Sequence, residues 1–171
     1  CTAESLSAGG PLSLHGGASL IHPATTRSRA YALLVEAPSV RVEAGAAIDV
    51  SGRGYPGGYV NSIGQYIGPL VFPMAVENVG GLSGGVHGGQ GGRRDNPGRA
   101  YGDPARPVWP GGGGTAGGHG VPGGAGGGAA HLLVGGVLTL DGELQADGAE
   151  GTLSASSGPG GGAGGSIWVE A

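Results

Sequence analysis

The chain has 171 residues, of which 44 are glycine and 12 are proline, and its formal net charge is −4. All eight basic residues are arginine, so the chain offers no lysine-rich tail or stripe that would bind nucleic-acid phosphates. Charged residues make up 12% of the chain, while short runs of Val, Ile and Leu recur. This combination predicts an ordered module instead of a disordered one, and no apolar run reaches the ~20 residues that a membrane-spanning helix requires.

The first residue, Cys1, is the single cysteine. An internal disulfide is therefore excluded, and a covalent role would be an intermolecular disulfide or acylation, as in a mature bacterial lipoprotein. An ordinary small residue at this position is the simpler interpretation.

A repeated pattern of short strands organises the chain. One copy covers residues 30–52 and a second covers 129–148, each with an apolar run, an alternating strand and a third short strand. Partial copies flank them: residues 5–20 are similar to the later strands of a repeat, and residues 166–171 are similar to its opening strand. Short strands of period two predict an all-β, β-solenoid-like module over 1–171, with essentially no α-helix. The alignment matches Leu33, Leu34 and Val35 with Leu132, Leu133 and Val134.

A long insertion, residues 53–128, separates the two full copies. Its first part, residues 55–76, holds three of the five tyrosines and the only Phe and Met. Because a structureless loop of this length is unusual in a compact domain, we expect this part to cover an open face of the solenoid.

Glycine recurs with a period of three in the second part of the insertion. The phased positions are Gly111, Gly114, Gly117, Gly120, Gly123 and Gly126, and shorter runs keep the spacing at Gly85, Gly88 and Gly91 and at Gly158, Gly161 and Gly164. This period is typical of extended helices of the polyproline II or polyglycine II type, which leave one face without side chains. We therefore expect packed, ordered glycine segments, and replacing Gly120 or Gly123 with Val should lower the melting temperature. A flexible linker is the alternative.

The loop from residue 93 to residue 109 concentrates arginines, one Tyr and one Trp. Aromatic rings beside Arg and Asp are common in carbohydrate-binding surfaces, and on this basis the candidate glycan contacts are Arg94, Tyr101, Asp103 and Trp109. A self-packing connector is the alternative and is favoured, since Tyr-Gly-Asp-Pro is itself a turn sequence.

The sequence does not favour metal or catalytic chemistry. The histidines are His15, His22, His87, His119 and His131, and none has the spacing of zinc ligands. The Asp-Gly pairs that follow strands are typical of turns, although calcium is an alternative there. The acidic residues of the insertion, Glu77, Asp95 and Asp103, suggest no pair that could cleave a polysaccharide. We therefore expect a protein without catalytic residues, metal or cofactor.

Several motifs occur in a fixed order along nearly the whole chain: LLVEA (33–37), AIDVSGRGY (47–55), GGVHGGQGG (84–92), YGDPARPVWPGGGG (101–114), GGGAAHLLV (126–134) and GGSIWVE (164–170). In this order the chain resembles the large Gly-rich β-helical repeat proteins of bacterial cell surfaces. The resemblance implies a secreted, adhesin-like or matrix protein, and it transfers no catalytic residues.

The expected function is that of an extracellular structural module that forms a fibre or an adhesive repeat array with copies of itself. The two ends of the chain look complementary, so we expect the C-terminal strand of one subunit to pair near the N-terminal strands of the next. The candidate contacts are Ile167, Trp168 and Val169 at one end and Leu6, Leu12 and Leu14 at the other. Deleting residues 166–171 should abolish polymerisation and leave a folded monomer. The alternatives are a glycan-binding or ice-binding surface module and, third, a polysaccharide-active enzyme.

Overall fold

The computed structural model describes residues 2–60, 66–67, 83–92, 99–117, 121–152 and 158–171. Within these ranges the chain is all-β and contains no helix, and no helix there could cross a membrane. The strands are β1 (Thr2–Ser7), β2 (Leu12–Leu14), β3 (Ser19–Leu20), β4 (Tyr31–Ala37), β5 (Val40–Val42), β6 (Ala47–Asp49), β7 (Tyr59–Val60), β8 (Tyr66–Ile67), β9 (Ala129–Val134), β10 (Leu138–Leu140), β11 (Glu143–Gln145) and β12 (Ser166–Glu170).

Three parallel sheets contain all the strands except β7 and β8. The first sheet has the order β1-β4-β9-β12, the second β2-β5-β10 and the third β3-β6-β11. Each consecutive trio, β1 to β3, β4 to β6 and β9 to β11, therefore places one strand in every sheet, and we call such a trio a level. Strand β12 adds a fourth strand to the first sheet alone.

The hydrophobic core lies between the three sheets and follows from the alternation of each strand. In β4, Leu33, Val35 and Ala37 are buried, whereas Leu34 is half-buried and Glu36 is exposed, as the period of two requires. The buried core consists of Leu33, Val35, Ala37, Val40, Val42, Ala46, Ile48, Val50, Ala130, Leu132 and Val134.

Turns between the second and third strands stack from one level to the next. Gly17 and Gly45 occupy these turns at the first two levels with φ of 83° and 78°, a left-handed conformation that glycine adopts without steric cost. The N–H of Gly17 donates to the carbonyl of Gly45 at 2.8 Å.

Two details of the predicted repeat are wrong. The first strands of the two copies pair with Leu33 beside Ala130 and Val35 beside Leu132, two residues away from the alignment of Leu33 with Leu132. A shift of two keeps the same face inward, so the hydrophobic pattern alone cannot detect it.

The second error concerns residues 5–7, which the sequence assigned to a later strand of the repeat. They belong to β1, which opens the first level and pairs with β4 from Thr2↔Tyr31 to Ser7↔Glu36. The first level is therefore complete, and the two ends of the molecule are not simple complements.

Six extended segments form a second layer beside the sheets, which we call the glycine bundle. It comprises residues 53–58, 83–86, 110–117, 121–128, 146–151 and 159–165. Hydrogen bonds join these segments through their backbones, and the central segment, 110–117, bonds to four of the other five. An amide in an extended segment has no partner in its own segment, so these lateral bonds satisfy the buried backbone.

The hydrogen bonds of the central segment repeat every three residues. The N–H groups of Gly111, Gly114 and Gly117 donate to the carbonyls of Gly127, Gly124 and Val121 at 2.8 Å each. The next residue along, Thr115, donates instead to Ser83 at 2.9 Å. The described parts of the glycine run, residues 110–117 and 121–128, are therefore packed on several sides, with the period of three that the sequence indicates.

The shorter run near the C terminus uses its glycines differently. A Cβ at Gly158 would meet nothing within 4 Å, and one at Gly161 or Gly164 would make only ordinary contacts. A Cβ at Gly160 or Gly162, by contrast, would overlap a backbone carbonyl of a neighbouring segment. In this run the phased glycines leave room for a Cβ, and the glycines between them make the close approach.

The remaining strands, β7 and β8, form a small antiparallel pair with Tyr59 beside Ile67. They belong to the excursion over residues 55–76 that we expected to cover a face of the sheets. Most of that excursion lies outside the described residues, so this expectation stays a prediction.

Candidate functional site

The apolar core is open at the β10 end. Val42 of β5 is fully buried, at 0% exposure, but its register partner Leu140 on β10 is 44% exposed. Leu138 and Leu144 also pack against the core and are only half-buried. These residues lie on strands that the sequence predicted, but their position on the last level could be recognised only once the order of the sheets was known.

Strand β12 continues this open end in the first sheet. Ile167 and Val169 pair with Ala130 and Leu132, both buried, so they face the core side of the sheet, and they are 36% and 38% exposed. The predicted assembly contacts Ile167 and Val169 are therefore core-facing side chains with no strand over them among the described residues.

Trp168 lies on the opposite face of β12, away from the core. Its ring stacks on His131 with a centroid distance of 4.0 Å and an interplanar angle of 1°. His131 Nε2 is 2.8 Å from Glu170 Oε1. Trp168 therefore packs against the outer surface of the first sheet and does not contribute to the open end of the core.

The opposite end of the core is formed by the first level. Leu6, Leu12 and Leu14 are half-buried there, together with Leu20, which sequence analysis missed because its strand has only two residues. Leu12 and Leu14 pair with Val40 and Val42, so they occupy the same side of the second sheet as Leu138 and Leu140. We call the two surfaces the β1 end and the β12 end of the molecule.

The candidate glycan contacts do not form one described surface. Tyr101 is half-buried, its hydroxyl donates to the carbonyl of Pro110, and its ring packs against Tyr55 and His87. Burial raises the pKa of Tyr101 well above its ordinary value. Asp103 is exposed and accepts the N–H of Ala105 at 2.9 Å, a contact typical of a turn. Arg94 lies outside the described residues, so the glycan site stays a prediction.

Trp109 is half-buried at the end of this loop, and its carbonyl accepts the hydroxyl of Ser166 at 2.7 Å. Pro107, Val108 and Trp109 border a cavity of about 280 Å³ whose other wall is the outer face of β4 and β9, including Leu34 and His131. The described part of this loop, residues 99–109, therefore contacts both the glycine bundle and the first sheet.

Comparison of the chain with protein-family models, curated proteins and solved structures finds no significant match. Among the described residues there is no group of three or more His, Cys, Asp or Glu side chains placed to hold a metal ion.

Two histidines stand where the bundle meets the sheets. His22 is 1% exposed, and its Nδ1–H donates to the carbonyl of Pro23 at 2.7 Å. Its Nε2 has no hydrogen-bond partner among the described residues and lies against Gly128, where an added Cβ would overlap the ring. His87 donates through Nδ1 to the carbonyl of Gly164 at 3.0 Å. Desolvation lowers the pKa of both rings below their ordinary value of 6.5.

These pKa shifts predict a loss of stability in acid. When the pH drops below about 6.5, the histidines of the unfolded chain bind protons, whereas the two folded rings do not yet do so. The free energy of unfolding therefore decreases as the pH is lowered, until the pH reaches the lowered pKa values of the folded state. Denaturant unfolding at about pH 7.5 and about pH 5.5 measures this loss. His22→Asn, which can keep the donor to Pro23, should show a smaller loss than the wild type. A wild-type protein that is no less stable at the lower pH would contradict this prediction.

Proposed function

We propose that this chain is a structural module of an extracellular assembly, a β-solenoid stiffened by a polyglycine II-type bundle, which associates end to end with copies of itself. The observation that carries the proposal is the contrast between the buried second level and the open levels at both ends of the core.

The proposal of a solenoid is supported by the repetition of levels. Three consecutive levels place their strands in the same order in the same three sheets, and all of these strands are parallel. A chain that winds in this way adds one strand to each sheet per turn, and each turn contacts only its neighbours. Such a fold grows along one axis and leaves a backbone edge at each end.

The packing of the glycine bundle supports a structural role. Its segments bond laterally through backbone groups, and its close approaches leave no room for side chains at positions such as Gly126 and Gly160. A layer built in this way has few rotatable side chains. We interpret it as a rigid wall that holds the loops between levels against the sheets.

The apolar side chains at the β12 end contribute to the free energy of association between two copies. Covering a half-exposed Leu, Ile or Val stabilises by on the order of 1 kcal/mol, and five such residues lie there: Leu138, Leu140, Leu144, Ile167 and Val169. Association itself costs at least about 4 kcal/mol of lost motional freedom. The half-buried leucines of the β1 end would be covered in the same contact, and backbone pairing between the edges of the sheets would add to this apolar stabilisation.

We place the assembly at a bacterial cell surface because of the resemblance to Gly-rich β-helical surface proteins. Head-to-tail contacts between different ends do not close a ring unless the rotation returns to its start, so the product of association is an open filament.

Sedimentation velocity with negative-stain electron microscopy tests this function. We expect the wild-type protein to form species that lengthen as its concentration rises. Leu140→Asp places a carboxylate on the β12 end and should keep the protein monomeric with an unchanged circular dichroism spectrum. A wild-type protein that stays monomeric at every concentration would overturn the proposal.

Thr139→Asp is the matched control, because Thr139 precedes Leu140 on β10 and faces the other side of the strand. This variant should assemble like the wild type. Deleting residues 166–171 should prevent assembly while the monomer stays folded. If the deletion variant still formed filaments, β12 would not belong to the contact.

A further inference from the structure

Strands β12 and β1 occupy equivalent positions at opposite edges of the first sheet. Ile167 pairs with Ala130, which pairs with Leu33, and Leu33 also pairs with Glu4 of β1. A strand β12 placed beside β4 in this register would therefore have Ile167 where Glu4 stands. By the same pairing, Val169 would take the place of Leu6.

The two strands differ in how well they suit the core side of the sheet. In β1 the core-facing row includes Glu4 and Leu6, and the register partner of Glu4, Leu33, is 3% exposed. Glu4 remains exposed only because β1 is an edge strand. A second copy stacked on an intact β1 would bury this carboxylate over apolar side chains, which is strongly unfavourable without a paired cation. Strand β12 would put Ile167 at the same point.

At the β12 end the first sheet extends one strand beyond the other two sheets, which leaves a step that an intact copy would not fill. The first sheet has four strands, whereas the second and third sheets have three. A copy docked through β1 onto β12 would hold its β2 and β3 one strand away from β10 and β11. If β1 is absent from that level, β2 and β3 can lie directly on β10 and β11.

The side chains match in that arrangement. Leu12 and Leu138 share the register partner Val40, and Leu14 and Leu140 share Val42. In the third sheet, Leu20 and Leu144 share Ile48. Strand β12 of one copy, with β2 and β3 of the next, would thus make one complete level with an apolar core-facing row in every sheet.

We infer, on the basis of the proposed end-to-end function, that the copies join by strand exchange: β12 of one copy pairs with β4 of the next and displaces its β1. The exchange replaces one parallel ladder of six residue pairs with another of similar length, since β12 has five residues. The new pairing of β2 with β10 and of β3 with β11 makes up for the one pair fewer in the first sheet, and the step at the β12 end is filled.

Cysteine pairs at three exposed positions test the exchange, all in a Cys1→Ser background. Ser7, Glu36 and Glu170 lie in one outward row, because Ser7 pairs with Glu36, and both Glu36 and Glu170 pair with Leu133. Positions 36 and 170 of one copy are two strands apart, about 9.6 Å, which is beyond the reach of a disulfide. Neighbouring strands are within reach.

Ser7→Cys with Glu36→Cys should lock β1 to β4 when oxidised. We expect this oxidised variant to stay monomeric and to assemble after reduction. Glu36→Cys with Glu170→Cys should form disulfides between copies in the assembled state, whereas Ser7→Cys with Glu170→Cys should not.

Two results together would overturn the exchange: the locked, oxidised variant assembles, and disulfides form between positions 7 and 170 of different copies. End-to-end association itself would still stand in that case. If the reduced variants and the Cys1→Ser parent all remained monomeric, the proposed function itself would fail, and the exchange with it.

Discussion

Gly126→Ala is expected to lower the free energy of unfolding by about 3 kcal/mol, the upper part of the usual range for overpacking a buried site. Gly126 is buried, and an added Cβ would lie inside the van der Waals radius of the carbonyl oxygen of Gly111. That oxygen cannot simply move away, because the Gly111 carbonyl also accepts the N–H of Tyr55 at 2.9 Å. The methyl group must therefore separate two segments of the bundle.

Gly92→Ala is the matched control, because a Cβ at Gly92 would meet nothing within 4 Å. Its free energy of unfolding should stay within about 0.5 kcal/mol of the wild type. Urea unfolding followed by far-ultraviolet circular dichroism measures both variants. Equal stability of Gly126→Ala and Gly92→Ala would show that the glycine segments are not packed as described.

Leu132→Ala should lower the free energy of unfolding by about 2 to 5 kcal/mol, the range for removing a large aliphatic side chain from a rigid core. Leu132 is 0% exposed on β9, a central strand of the first sheet. Its partners on either side, Val35 and Val169, belong to β4 and β12, so the cavity would interrupt the core between these two strands.

Leu140→Ala is the comparison within the same level, since Leu140 is 44% exposed at the open end. In the monomer, Leu140→Ala should lower the free energy of unfolding by less than about 1 kcal/mol. Unfolding in denaturant at low protein concentration separates the two variants. If Leu140→Ala lowered the free energy of unfolding as much as Leu132→Ala does, the β12 end would already be covered in the isolated chain.

Much of the sheet architecture could be predicted from the sequence because strand alternation is a local signal. Val40 and Val42 face the core with Arg41 outside, as period two requires. The prediction that residues 166–171 contain an opening strand is also confirmed, since Val169 and Val35 both pair with Leu132.

The neighbours of the glycine segments could not be predicted in this way. A glycine has no side chain to mark which face is buried, so the period of three indicates regular packing without naming the partner. The actual partners are distant in sequence: Gly112 accepts the N–H of Ala163, and Gly111 donates to Gly127. The sequence also suggested replacing Gly120 or Gly123 with Val as a test. Gly120 lies outside the described residues, but the structure supports the test at Gly123, because an added Cβ there would overlap the carbonyl of Gly114.

The open ends were predicted only in part for a related reason. The residues Ile167, Val169, Leu6, Leu12 and Leu14 are correctly described as apolar strand residues, but the sequence could not assign strands to levels. Residues 5–7 were therefore misplaced, and the carboxylate of Glu4 on the core-facing row went unnoticed. Its meaning depends on the pairing of β1 with β4, a contact across about 29 residues of chain.

X-ray fibre diffraction from aligned assemblies of the wild-type protein tests end-to-end association most directly. If levels continue from copy to copy, the strands lie across the filament and stack along it, which predicts a reflection at about 4.8 Å along the filament axis. A 4.8 Å reflection perpendicular to the axis would mean that the strands run along the filament, and it would contradict the continuation of the sheets through the β1 and β12 ends.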